Sequence, residues 1–391
     1  MGSVYSNNND SHFNLETWLG DPGAIPAQAL SWRLFCKELP MTAPHSAPGL
    51  LPPGCLPLLQ APMAGSQDAG LALAVSGAGA LGALPAAMLS LPALREQLQR
   101  LRAAGQPVNL NFFAHIDPSP DEQREADWRL LLTPYYEALG LDPAAAPTGV
   151  GRQPFGPEAA DLVQTFRPAV VSFHFGLPAP ALLARVKASG AKVMASATTV
   201  DEGLWLQQQG VDAVIAQGLE AGGHRGHFLS DDLSRQLGLF ALLPQLCAAL
   251  TVPVIAAGGI ADAAGVRAAR ALGAAAVQVG SAYLLTPEAL TSPLHRAALA
   301  DPQRRAHTQL TRLFSGRPAR GIPNRLMREL GPLHPGAPDF PLAGAALGPL
   351  RAAAEAAGRD DFSPLWAGQN LGALRAIGAA ELTRELAAGL G

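Results

Sequence analysis

The sequence predicts an α/β protein: a closed (β/α)8 barrel of the TIM type, with a smaller helical lid and insertion region. Three observations predict it. Eight short apolar runs follow one another along the chain, each bounded by turn residues. Ala/Leu-rich stretches of helical period separate most of them, the rhythm of a parallel sheet covered by helices. The last runs of the series end in glycine-rich turns, where barrels of this kind build their sites. An open doubly wound sheet can be cut from the same pattern; the count of eight points to closure.

Residues 1–55 read as a flexible N-terminal extension: the first forty are polar and mixed, and 42–54 are rich in Pro, Ala and Gly. The core is expected from Leu56, with PLLQA (57–61) as the first strand. The second, ALGA (80–83), lies in a stretch, 69–94, that holds no charged residue. Its length passes a transmembrane filter. However, Gly70, Gly77, Gly79, Gly82, Pro85 and Pro92 break it, so it reads as buried helix, strand, turn and helix, and no membrane span is expected. VNLNF (108–112) is the third strand. Residues 113–168 exceed a plain crossover. DEQREADWRLLLTPYYEALG within them reads as one amphipathic helix, part of an insertion covering one side of the site. AVVSF (169–173), AKVMA (191–195), AVIAQ (213–217), VPVIAA (252–257) and AAVQV (275–279) complete the strands. LLARVKAS, DEGLWLQQQG and DAAGVRAARALG are helices between them. The main barrel is thus expected over 56–284. Residues 285–391 are expected as a mostly helical, substrate-covering region that carries a basic patch (311–330) and returns to the barrel at WAGQ (366–369).

Composition narrows the function classes. Charged residues make 15% of the 391-residue chain, against roughly 25% in a typical soluble protein. Hydrophobic residues make 48%, so a large core is available and a disordered chain is excluded. Lys and Arg number 28 against 31 Asp and Glu, for a net charge of −3. That balance argues against nucleic acid as the main partner, and the 311–330 patch holds a single aromatic residue, Phe314, too few to stack a run of bases. Cys36, Cys55 and Cys247 stand far apart, with neither metal spacing nor a disulfide framework, which fits a reducing compartment. The opening MGSVYSNNNDSHFN shows no secretory pattern, so a cytoplasmic protein is expected. There are 41 glycines and 35 prolines, about a fifth of the chain where average usage is roughly 12%. The excess implies many turns or close backbone approaches.

The strand ends locate the candidate chemistry. The first strand runs into Pro62-Met63-Ala64-Gly65, a turn that offers amides and a soft apolar side chain to a flat heterocycle, or equally a turn with a packing methionine. The third ends at Asn111, in phase with Asn109; a buried amide needs partners, which a bound ring or a structural neighbour can supply. The fourth ends Ser172-Phe173-His174-Phe175-Gly176, an aromatic wall in which His174 is a donor behind the site or a packed neutral histidine. The sixth carries Gln217-Gly218-Leu219-Glu220-Ala221-Gly222-Gly223-His224-Arg225-Gly226-His227. So many glycines mixed with Glu, Arg and two histidines imply a tight backbone presenting reactive groups. Histidine is the natural base near neutral pH, and His224, after a Gly pair, is the candidate; His227 reads as a surface residue. Without a third ligand at a suitable spacing, no metal site is expected. Gly258-Gly259 after the seventh strand and Gln278-Val279-Gly280-Ser281 at the eighth match the barrel phosphate site, where backbone amides hold a phosphate without lysine. Neither a Rossmann GxGxxG in context nor a P-loop is present. A phosphate grip facing an Asn, a Gln and a Met suggests a flavin mononucleotide (FMN) site.

These motifs together resemble the nitronate monooxygenases, the 2-nitropropane dioxygenase-like family, and its class I branch in particular. The likeness runs from about residue 56 to 369 on QAPMAG (60–65), NFF (111–113), SFHFG (172–176), QGLEAGGHRG (217–226), AAGGI (256–260), QVGSA (278–282), FSGRPARG (314–321) and LWAGQ (365–369). The resemblance implies an FMN-containing barrel in which Met63 contacts the flavin. Asn111 and Gln217 would hydrogen-bond it, and Gly222 and Gly223 approach it with bare backbone. Gly258, Gly259, Gly280 and Ser281 would hold the phosphate, with Gln278 beside them, and His224 would be the base. The eighth-strand motif of the family often ends in Thr where Ser281 stands here; the hydroxyl remains.

The implied reaction is oxidative denitrification of alkyl nitronates, propionate 3-nitronate above all, and of nitroalkanes. With O2, and through a flavin semiquinone, it yields a carbonyl compound and nitrite. Arg225, Arg317 and Arg320 are candidates for attracting a substrate carboxylate. The expected partners are the nitronate and O2, in a monomer or homodimer. The rival reading is an NAD(P)H:quinone or enoyl-thioester reductase on the same barrel.

Overall fold

The computed structural model describes residues 49–391 apart from 120 and 149–151. Most of the expected N-terminal extension, with Cys36, lies outside the described residues. The described residues form eleven strands: β1 (Leu58–Gln60), β2 (Gly82–Pro85), β3 (Val108–Phe113), β4 (Val170–His174), β5 (Lys192–Ala197), β6 (Ala213–Gln217), β7 (Gly223–His224), β8 (Val254–Ala257), β9 (Ala276–Val279), β10 (Gln309–Thr311) and β11 (Ala319–Gly321). Eight of them form one sheet in the order β1-β9-β8-β6-β5-β4-β3-β2. Every pairing in that sheet is parallel. A parallel bridge between Leu59 and Leu81 brings β1 against the start of β2 and closes the ring. There the Gln60 amide donates to the Leu81 carbonyl, and the Leu81 amide to that of Leu58, each at 2.9 Å.

Closure explains the apolar strands. Alternate side chains point to opposite faces, and both faces are buried. Leu59, Val170, Met194, Ile215, Ile255 and Ala276 fill the interior. Val171, Phe173, Val193, Val214, Val254 and Val277 pack outward on the helices. Leu50 joins the interior cluster at 4% exposure. The core therefore begins before Leu56, because a barrel interior needs an apolar plug that its strands do not supply.

Helices Ala69–Gly77, Leu91–Ala104, Pro157–Phe166, Pro180–Ala188, Val200–Gln208, Leu239–Ala249 and Ala263–Ala271 follow the first seven barrel strands. Asp68, Ser90, Thr199 and Asp262 cap four of them through side-chain oxygens, as N-cap preferences anticipate. The eighth barrel helix is Ala379–Ala387, near the end of the chain, packed against Ala69–Gly77 and Ala263–Ala271. The barrel is thus not complete at residue 284: Tyr283 Oη meets Thr383 Oγ1 at 2.9 Å.

Three further departures from expectation have physical causes. The second strand lies at Gly82–Pro85 rather than 80–83, because short apolar runs flanked by glycine carry little register information. The insertion after β3 is shorter than 113–168: Phe113 belongs to β3 and Pro157–Phe166 is an ordinary barrel helix. Residues 285–391 are not mostly helical. Prolines and glycines break them into short helices, and β10 and β11 form an antiparallel pair extended by β7. Helix Glu122–Ala138 does form as read. Its Trp128, Leu132, Tyr135 and Tyr136 build a second core with Leu313, Phe314, Leu326, Met327 and Leu350. Trp128 Nε1 donates to the Ala343 carbonyl at 3.1 Å and Tyr136 Oη to that of Ala346 at 2.6 Å. The segments after β3 and β9 thus form one cap. No helix among the described residues is long and apolar enough to cross a membrane.

Candidate active site

A cavity of about 270 Å³ opens where the barrel strands end. Met63, Asn111, Gln217, Gly222, Gly223, His224, Gly258, Gly259, Gln278, Gly280 and Ser281 all line it. Residues spread over more than 200 positions converge because parallel strands put all their C-terminal ends on one face.

His224 lies on β7 opposite Ala319 of β11, so the cap's small sheet aims it. Phe113, Phe175, Phe340 and Trp366 surround its ring, with centroids 5.5 to 6.1 Å away. Its Nε2 is 2.8 Å from Ser315 Oγ. Burial holds its pKa well below the usual 6.5, and the positive charges of Arg152 and Arg317 add to the effect. The imidazole is therefore neutral at pH 7.

The backbone around His224 is clamped from two strands. Gln217 Nε2 donates to the His224 carbonyl at 2.9 Å, and Gln217 Oε1 accepts from the Gly226 amide at 2.8 Å. His174 Nε2 meets the same carbonyl at 3.1 Å, and its Nδ1 meets Ser196 Oγ at 3.0 Å. Gln217 was expected to serve a bound ring; its amide is engaged by the loop, with one Nε2 hydrogen left over. Asn111 Nδ2 donates to Ser172, at 3.0 Å to Oγ and 3.3 Å to the carbonyl, leaving Oδ1 toward the cavity.

At the opposite end Gly258 and Gly259 take φ of 123° and 69°, values that L side chains resist. A Cβ on Gly222 would lie 2.5 Å from the Gly368 nitrogen, so residues 366–368 pack on bare backbone there. Ser281 Oγ accepts from the Gly368 amide at 2.9 Å, and Asn370 Nδ2 donates to the Gly259 carbonyl at 2.8 Å.

The arginine expectation is corrected. Arg225 is fully buried, donating to Gln236 Oε1 and to the Gly218 and Gln217 carbonyls at 2.7 to 2.9 Å. Arg320 donates to the Leu219 and Thr308 carbonyls. Arg317 donates to the His227 carbonyl and lies over the Phe175 ring. These side chains hold the loops together because their carbonyl acceptors sit in the polypeptide around them. The arginines that line the cavity are Arg152 and Arg351. Arg152 stacks at 5.5 Å from the Phe340 centroid. A cation–π contact contributes about 0.5–2 kcal/mol, less than the several kcal/mol that desolvating a charge costs.

His227 is 1% exposed, against the expected surface position, and sits 3.4 Å from Asp231. Ser172, Ser196, Ser315, Phe340 and Arg152 join the site only in the folded chain. Single Ser, Phe and Arg residues carry no sequence signal until the fold assembles them. Cys55 and Cys247 form no disulfide among the described residues, and burial pushes both thiols up to about 11. Among the described residues no cluster of three His, Cys, Asp or Glu is arranged to hold a metal.

The family model described as nitronate monooxygenase matches residues 54–389. The chain belongs to the nitronate monooxygenase family. It is 40% identical over 333 residues to a nitronate monooxygenase from Pseudomonas aeruginosa, covering 84% of this chain and 95% of that one. The solved nitroalkane oxidase from Streptomyces ansochromogenes superposes with a TM-score of 0.78 at 37% identity, over 88% of this chain and 98% of that one. FabK from Thermotoga maritima superposes with a TM-score of 0.62 at 24% identity, over 85% and 91% of the two chains, a likeness of fold.

As a member of the family the chain is a flavin-dependent oxidoreductase. The cavity fits a flavin on its own chemistry. Gln278 Oε1 is buried in its wall with no hydrogen-bond partner among the described residues, an acceptor awaiting a donor. Asn111 Oδ1 is a second acceptor. The glycine turns at 258–259 and 280 leave backbone bare at the other end, as a phosphate site requires.

Proposed function

We propose that the chain oxidises alkyl nitronates, propionate 3-nitronate among them, and nitroalkanes, using O2 to form a carbonyl compound and nitrite. The observation that carries this reading is His224: a neutral imidazole in an aromatic enclosure, opening into the flavin cavity.

FMN would be held by Gly258, Gly259, Gly280 and Ser281 at its phosphate. Asn111, Gln217 and Gln278 would meet the polar edge of its ring, with Met63, Gly222 and Gly223 against its surface. When bound, FMN supplies the redox chemistry that links substrate oxidation to O2.

The chain's own part is to move a proton and exclude water. Ser315 Oγ donates to the Arg317 carbonyl at 3.3 Å, so that it accepts from His224 Nε2–H and leaves the lone pair on Nδ1. That nitrogen takes the α proton of a neutral nitroalkane; a preformed nitronate needs no base. Phe113, Phe175, Phe340 and Trp366 keep water from the reacting carbon.

The test is a nitrite assay on the purified, flavin-loaded protein with propionate 3-nitronate in air, beside anaerobic mixing with NADH. Nitrite release with negligible flavin reduction by NADH is expected. Rapid full reduction by NADH without nitrite from any nitronate overturns the reading in favour of a reductase.

A further inference from the structure

Of the two arginines that line the cavity among the described residues, Arg351 is paired with Glu355 at 2.7 Å. Arg152 has neither an ion pair nor a hydrogen-bond acceptor for its guanidinium among the described residues; its contact is the Phe340 ring. The acidic side chain among the described lining residues is Glu220, which accepts from the Leu239 amide at 2.9 and 3.0 Å. Glu220 sits at the glycine-turn end, against Gly259. Arg152 therefore places a positive charge on an aromatic chamber without a counter-ion. Its planar fork suits a two-oxygen monoanion. A phosphate would bring a second charge with no second free cation among the described lining residues to meet it.

We propose that Arg152 binds a carboxylate at the far end of the substrate, so that the site selects short nitronates and nitro acids bearing a terminal carboxylate. The proposal rests on the nitronate-oxidising reading above. The His224 ring and the Arg152 guanidinium each lie 5.5 Å from the Phe340 centroid, so a chain of a few carbons lying along that ring reaches both. The reacting end is a poor candidate for the anion. A nitronate carries a charge there too, but a nitroalkane is neutral there until His224 removes its proton, whereas a carboxylate tail is charged in both.

The test uses the flavin-loaded enzyme, Arg152→Gln, Arg152→Met, which keeps an apolar stem over Phe340, and Arg152→Lys. Propionate and butyrate are titrated against propanol and butanol as non-reacting ligands, followed by the flavin absorbance. In parallel, kcat/KM is measured for propionate 3-nitronate and propyl nitronate. The carboxylate-to-alcohol affinity ratio and the corresponding kcat/KM ratio should each fall at least about ten-fold without the charge, and recover partly with Lys. An unchanged ratio in both charge-free variants overturns the proposal, as does wild-type enzyme that binds the alcohols as tightly as the acids. If no nitronate releases nitrite but the affinity ratio still falls, Arg152 is a carboxylate site and the nitronate reading alone is lost.

Discussion

His174 Nε2 lies 3.1 Å from the backbone oxygen of His224, a residue fifty positions further along the chain. A carbonyl only accepts, so Nε2 carries the proton and Nδ1 accepts from Ser196. Burial pushes the His174 pKa down to about 3. His174 is thus a fixed neutral donor that locates His224, rather than a second base.

Removing that donor should misplace the base without removing it. His174→Phe should lower kcat on a neutral nitroalkane by about ten- to a hundred-fold, with a much smaller effect on a preformed nitronate. His174→Asn, with an amide donor, should recover part of the loss. Steady-state kinetics on both substrates checks this, and equal losses on the two would show a general disruption of the cavity.

His224→Asn should lose about 10²–10⁴ in turnover of the neutral nitroalkane while keeping bound flavin and most nitronate oxidation. Loss of both activities with flavin retained would remove proton abstraction as its role.

The pH profile of kcat/KM for a neutral nitroalkane follows from the same site. The active imidazole is the unprotonated one, and its pKa lies well below 6.5. The acid limb of the profile should therefore lie well below pH 6.5, and an acid limb near 6.5 would contradict the buried, positively flanked setting.

Stability should also depend on acid. Burial lowers the pKa of His174 and His227 to about 3 and of His295 to about 4. Below pH 6.5 the unfolded chain takes up protons at these positions while the folded chain does not. Their contribution is complete above 6.5 and lost as pH falls toward 4 and then 3. Each such proton is worth about 1.4 kcal/mol per pH unit. Thermal unfolding should show Tm falling from pH 7 to pH 4.5, with a shallower slope in His295→Gln.

Gly222→Ala places a methyl group 2.5 Å from the Gly368 nitrogen. Residues 366–368 must shift, taking Trp366 away from His224. Overpacking of this kind costs about 1–3 kcal/mol. Reduced flavin content and altered tryptophan fluorescence are the expected readouts; a fully loaded variant with unchanged fluorescence would show that the strap yields freely.

The barrel and the insertion helix Glu122–Ala138 were legible in the sequence, and the eleven proposed site residues meet at one cavity. Short apolar runs bounded by turn residues mark the doubly buried strands and a 3.6-residue period marks the helices, and parallel topology then sends every strand end to one face. Motif likeness added the family. The tertiary structure alone decided which arginine faces the cavity. Arg225 and Arg320 lie in the strongest motifs, yet donate to backbone carbonyls around them, whereas Arg152 sits in an unremarked loop and meets the cavity. Side-chain pairing of this kind depends on contacts between residues such as Arg152 and Phe340, 188 positions apart, which no local pattern encodes. For the same reason the eighth barrel helix and the sheet that aims His224 appeared only in the folded chain.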